Sequence, residues 1–142
     1  MDQSIVVVVG SWAQLGRSAQ AIRHQVFVEE QNVPIELELD EHDAGAAHAV
    51  ALKGEVAVGT GRLLPDAHIG RMAVLKSHRG TGVGAMLLSA LVDEAGRRGC
   101  SSVVLAAQCH AQGFYLAQGF APEGAEFMDA GILHIQMRKK LC

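Results

Sequence analysis

The sequence predicts a mixed α/β domain, on three observations. Short apolar, β-branched runs bounded by Gly, Pro and Asp recur along the chain. A strand, a helix and a second strand follow one another between His68 and Ala107. The 142 residues are 49% hydrophobic and 19% charged, against about 25% charged in an average globular chain. Such a chain can bury a real core, which excludes disorder, and its length suits one domain spanning residues 1–142.

Taken in order, Ser4 to Val9 is a β-branched run and predicts the first strand. Ser11 can cap a helix on which Leu15, Ala19, Ile22 and Val26 recur at helical spacing, and Pro34 ends any helix before it. His48 to Leu52 and Glu55 to Leu64 predict two strands around a Lys53-Gly54 turn, and Pro65-Asp66 turns the chain into a third, His68 to Leu75. These three run antiparallel in succession. A helix follows from Gly82 or Val83 to Arg98, with Val83, Leu87, Ala90 and Leu91 on one face. Arg97 and Arg98 suit its C-terminal dipole, and Gly99 suits the residue just past its end. Ser102 to Ala107 is an apolar strand that completes a βαβ pattern. A short helix from Ala111 to Gln118 closes at Gly119, and strands over roughly Ala121 to Phe127 and Gly131 to Met137 end the fold.

Several function classes are disfavoured. No apolar run reaches the roughly 18 residues of a membrane span. Ile5 to Val9 is too short for a secretory core and lacks a basic flank, so a soluble, cytoplasmic protein is expected. Net charge is −3 with no obvious basic patch, which argues against nucleic acid and membrane partners. Cys100, Cys109 and Cys142 form no C-x-x-C pair, and the seven histidines are scattered without ligand spacing, so no metal is expected.

Two stretches carry functional information. Glu29 to Asp43 holds seven of the fifteen acids and no Lys or Arg. It reads either as a solvated loop or as a negative rim that attracts a cationic substrate. Arg79-Gly80-Thr81-Gly82-Val83-Gly84 lies between a strand and a helix. Glycines there let the backbone approach a ligand, and the helix N-terminus offers unpaired N–H groups to a phosphate or pyrophosphate. A P-loop would need a Lys that is absent. A dinucleotide fingerprint would need an acid closing the next strand, which instead ends Leu105-Ala106-Ala107-Gln108.

On Arg79-x-x-Gly82-x-Gly84 and, about thirty residues on, Ala111-x-x-Phe114-Tyr115-x-x-x-Gly119-Phe120, the sequence resembles the GNAT superfamily of acetyl-CoA-dependent N-acetyltransferases. The stretches Val26 to Gln31, Gly59 to Leu63 and Ile69 to Val74 look like those of a group of small bacterial members. The resemblance covers essentially the whole chain. It implies a mixed, mostly antiparallel central sheet of six to seven strands flanked by about four helices.

It also implies roles. Main-chain groups of Met72, Ala73 and Val74 should pair with the pantetheine arm of acetyl-CoA like an added strand, and an amide there should polarise the thioester carbonyl. Backbone N–H groups of Arg79, Gly80, Thr81, Gly82, Val83 and Gly84 should hold the pyrophosphate, with Arg71, Lys76 and Arg79 available to the remaining phosphate charge. Gln108 stands where many members have a cofactor-contacting Asn.

Acetyl transfer in a ternary complex requires a base for the amine, an oxyanion site and an acid for the thiolate. Tyr115, the single tyrosine, matches the family's general acid. Glu29, Glu30, His48 and His134 are candidates for the base, Glu30 and His134 foremost, and a base acting through water is an alternative. The expected acceptor is a primary amine, on a small molecule or a peptide. A non-catalytic acyl-CoA-binding sensor or partner module is the competing class. Dimers are common among related proteins, so a homodimer is compatible with the resemblance.

Overall fold

The computed structural model describes residues 4–141; Cys142 lies outside them. Strand β1 (Ile5–Gly10) leads into helix α1 (Trp12–Arg23), where a capping box joins Ser11 and Gln14. The Ser11 hydroxyl accepts from the Gln14 N–H at 3.2 Å, and the Gln14 side chain accepts from the Ser11 N–H at 2.9 Å. The helix continues as a π-helical stretch, His24–Glu30, that stops before Pro34. Single-turn α2 (Ile35–Glu38) and a 3₁₀ turn, Glu41–Gly45, occupy the acidic stretch.

Strands β2 (Ala47–Lys53), β3 (Val56–Leu63) and β4 (His68–Val74) then form the antiparallel succession expected. Helix α3 (Val83–Arg97), strand β5 (Ser102–Gln108), helix α4 (Gln112–Ala117) and strands β6 (Ala121–Asp129) and β7 (Ile132–Lys140) complete the chain. The fold class is as the sequence predicts: a seven-stranded, mostly antiparallel sheet with four α-helices. Its order is β1-β2-β3-β4-β5-β7-β6, so β7 inserts between β5 and β6. Among the described residues only β4 and β5 are parallel, as the βαβ unit requires. Among the described residues no helix is long and apolar enough to cross a membrane.

The main core lies between the sheet and α3. Leu87, Leu88, Leu91 and Ala95 pack on Val58, Val103, Leu105 and Met137, all nearly excluded from solvent. Helix α3 sits close to β3 because two strand positions are glycine. A Cβ at Gly59 would fall 2.8 Å from Leu87, and one at Gly61 would fall 2.9 Å from Leu91. On the opposite face a smaller cluster of Ile22, Val26, Phe27, Val33 and Ala73 ties α1 and the π-helical stretch to β4.

Candidate active site

Strands β4 and β5 pair over only two positions, His68↔Val104 and Ile69↔Leu105. Past them the strands separate, and Gly70 to Val74 face an opening rather than a β5 partner. A bulge in β4 widens this break. Thr60 pairs with Ala73 and Arg62 with Gly70, so Arg71 and Met72 together oppose Gly61. Arg71 takes φ +50°, a left-handed backbone rare for a side-chain-bearing residue and of a kind that collects at functional sites. The result is a groove of about 920 Å³ lined by Met72, Ala73 and Val74 on one wall and Ala106 and Gln108 on the other. The unpaired edge of β4 along it can take an added extended chain.

At one end of the groove stands the glycine loop. Gly80 and Gly82 adopt φ +76° and +88°, and Gly82 is the N-cap of α3, whose first turn has no side-chain cap. The N–H groups of that turn therefore remain free beside the groove, a built anion site at the start of a fifteen-residue helix. Arg79, Gly80, Gly82 and Gly84 line the groove, whereas Thr81 and Val83 do not. The Thr81 hydroxyl donates to the His78 carbonyl at 2.5 Å, and Val83 is buried in the main core. The Arg79 guanidinium donates to the Val74 carbonyl at 2.9 Å and grips Glu30 at 2.6 and 2.8 Å. The hydrogen bond from Arg79 holds the Glu30 carboxyl below its ordinary range.

The groove also receives Tyr115, half-buried and edge-on to Phe114 and Phe120 at 5.0 and 6.1 Å. Burial pushes its phenol up to about 12, so it stays protonated at neutral pH. His134, buried at 8% exposure, lines the same groove and lies opposite Gln108 in the β5–β7 register. Its Nδ1 is 2.7 Å from the Ile132 carbonyl, which can only accept; Nδ1 therefore carries a proton, and in the neutral ring the lone pair falls on Nε2. Phe127 stacks on the ring at 5.8 Å. Glu29 is largely exposed beside His24, and His48 is buried under Trp12 with its Nε2 donating to the Asp43 carbonyl at 2.9 Å; neither lines the groove.

The amide of Gln108 exchanges hydrogen bonds with that of Gln31 at 3.0 and 3.2 Å, and its oxygen also accepts from His110 Nε2 at 2.6 Å. Gln31 thus ties the end of the π-helical stretch to β5 across the groove. Cys109 lies 3.7 Å from Glu126, not against His110.

The acidic stretch corrects one expectation. Glu38 and Asp43 are 4% and 3% exposed and turn inward to Arg23, itself 1% exposed. Arg23 Nε bonds Glu38, while its two terminal nitrogens donate to Asp43 at 2.8 and 3.0 Å. Arg62 bonds Asp40 at 2.7 and 2.8 Å and Asp43 at 2.9 Å. Arg71 donates to Asp40 at 3.1 Å and to the Leu37 and Glu38 carbonyls at 3.2 Å, so it is not free for phosphate charge. The hydrogen bond from Arg62 holds Asp40 at about 2. Three of the seven acids thus neutralise three arginines, with Arg23, Arg62, Glu38 and Asp43 buried and Arg71 and Asp40 half-buried, instead of forming a rim. The sequence shows the acids clustered; their partners at positions 23, 62 and 71 lie too far along the chain to reveal the pairing.

Comparison with known proteins follows this geometry. A family model described as an acetyltransferase (GNAT) domain matches residues 14–141. The Bacillus subtilis protein YjcF, an uncharacterized N-acetyltransferase, is 43% identical over 127 residues, covering 87% of this chain and 91% of that protein. Escherichia coli ElaA superposes with a TM-score of 0.86 at 28% identity, over 95% of this chain and 99% of ElaA. An acyl-CoA N-acyltransferase from Pseudomonas aeruginosa superposes with a TM-score of 0.85 at 27% identity, over 96% and 99% of the two chains.

Proposed function

The chain belongs to the GNAT acetyltransferase family, and we propose that it is a cytoplasmic, single-domain N-acetyltransferase moving acetyl from acetyl-CoA to a primary amine. One observation carries the reading: the open edge of β4, the uncapped N-terminus of α3 and the Tyr115 phenol all face one groove. The pantetheine arm fits that edge as an added strand on Met72, Ala73 and Val74. The pyrophosphate fits the N–H groups between Arg79 and Gly84, whose positive-φ glycines turn the backbone toward it. Gln108 closes the far wall.

Given that placement, the roles divide by protonation state. His134 Nε2 holds a lone pair and takes the proton of the attacking amine, which His134 can do because Ile132 fixes its tautomer. Glu30, engaged by Arg79, is the weaker candidate for that role. The amine nitrogen bonds to the thioester carbon, and main-chain donors at the Arg71–Met72 bulge meet the oxyanion. When the carbon–sulfur bond breaks, Tyr115 supplies a proton to the thiolate. The test is calorimetric titration with acetyl-CoA, with NADH and ATP as comparisons, followed by turnover on an amine panel. Selective binding and amine-dependent release of CoA support the proposal. Failure to bind acetyl-CoA refutes it, and binding without turnover leaves a sensor role instead.

A further inference from the structure

The groove continues past the bulge into a second half, whose chemistry bears on the acceptor. Its walls are Val26, Phe27 and Val33 from the π-helical stretch and the turn after it, Leu37 from α2, Ala130 from the β6–β7 turn and Ile132 at the start of β7. Several of these belong to the smaller apolar cluster, whose buried side chains back the groove from α1 across Ala73 to the hairpin. Leu37 is 55% exposed, and Ile132, packed on that cluster, is half-buried, which leaves part of both side chains open to the groove.

Charge narrows the choice further. Three acids line the groove: Glu30, Glu38 and Asp129. Glu30 is held by Arg79 and Glu38 by Arg23. Asp129 makes no ion pair among the described residues. Arg62 and Arg71, which also line this half, are matched by Asp40 and Asp43. The pocket therefore offers one uncommitted carboxylate and a long apolar wall. A polyamine or a lysine-rich peptide would bring several charges with one partner among them, and stripping water from the rest is costly.

We infer that the acceptor is a singly charged primary amine on an apolar body, such as an alkylamine or arylalkylamine. Its hydrocarbon lies on Phe27, Val33, Leu37 and Ile132, and its ammonium enters past Asp129. The inference rests on the acetyltransferase reading above and specifies the second substrate of that site.

CoA release is followed at saturating acetyl-CoA with ethylamine, butylamine, hexylamine and phenethylamine, against spermidine and a lysine peptide. Acetyl-CoA binding is measured separately. The expected result is a kcat/KM that climbs about fourfold per methylene, with spermidine and the peptide at least tenfold below hexylamine. Leu37→Asn, at an exposed position, should raise the hexylamine KM about tenfold and leave acetyl-CoA affinity unchanged. A flat chain-length series, a preference for spermidine or the peptide, or an unchanged KM in Leu37→Asn overturns the inference while acetyl transfer stands. Acetyl-CoA binding with no amine of the panel consumed overturns it as well. Absence of acetyl-CoA binding overturns the underlying reading with it.

Discussion

Replacing Arg23 with Met tests whether the buried ion network is structural rather than a substrate rim. The variant removes the Nε bond to Glu38, the bonds of 2.8 and 3.0 Å to Asp43 and the 3.1 Å bond to the Glu38 carbonyl. It keeps a side chain of similar length over Trp12. Glu38 and Asp43 stay buried, Asp43 still bonded to Arg62. Removing one partner of such a pair costs about 3–5 kcal/mol, a large share of the 5–15 kcal/mol of a typical domain. At roughly 3 °C per kcal/mol for a chain of this size, Tm should fall by about 10–15 °C.

The pH dependence has a definite sign. In the parent, burial would raise the Asp43 carboxyl, but bonds from Arg23 and Arg62 outweigh it and hold it low. Its contribution is then present above its unfolded pKa of about 3.9 and lost as pH falls through the folded value. Without Arg23 that carboxylate takes up a proton at higher pH, so the deficit of the variant shrinks from pH 7 toward pH 4.5. Urea and thermal unfolding followed by circular dichroism measure both. A cost under about 1 kcal/mol at pH 7, or a gap independent of pH, would refute the reasoning.

Five further outcomes are expected. Tyr115→Phe keeps the ring packing and should lower kcat about 10²-fold or more with acetyl-CoA affinity unchanged by calorimetry. His134→Gln should lower kcat similarly, with partial recovery at high pH, where the free amine deprotonates unaided; a pH–rate profile decides. Gly82→Ala forces a Cβ into φ +88°, costing about 1–2 kcal/mol and weakening acetyl-CoA binding. Gly84→Ala, whose Cβ would meet Phe114 at an ordinary 3.4 Å, should leave both nearly unchanged in paired melts and titrations. Glu30→Gln frees Arg79 and should tighten acetyl-CoA about two- to fivefold, the size of an exposed ion pair; weaker binding would place Glu30 on the ligand side.

Much of this protein is written locally. Ser11 caps α1, Gly99 at φ +81° ends α3, and Gly54 at φ +63° turns β2 into β3, each as the sequence implies. Interactions over a few residues leave a mark in the order of the chain, and so does the glycine loop before α3, whose positive-φ glycines lie close together in sequence. Its motif singles out Tyr115, which the structure places in the groove. The tertiary structure alone decided the rest. Arg23 meets Asp43 across 20 positions and Gln31 meets Gln108 across 77. The insertion of β7 between β5 and β6, and the parting of β4 from β5 after two pairs, likewise depend on how separate strands meet. Whether Glu38, Asp40 and Asp43 form a rim or a buried network turned on where three distant arginines were brought. A charge states its sign in the sequence, but its partner and its exposure are set only when the chain closes around it.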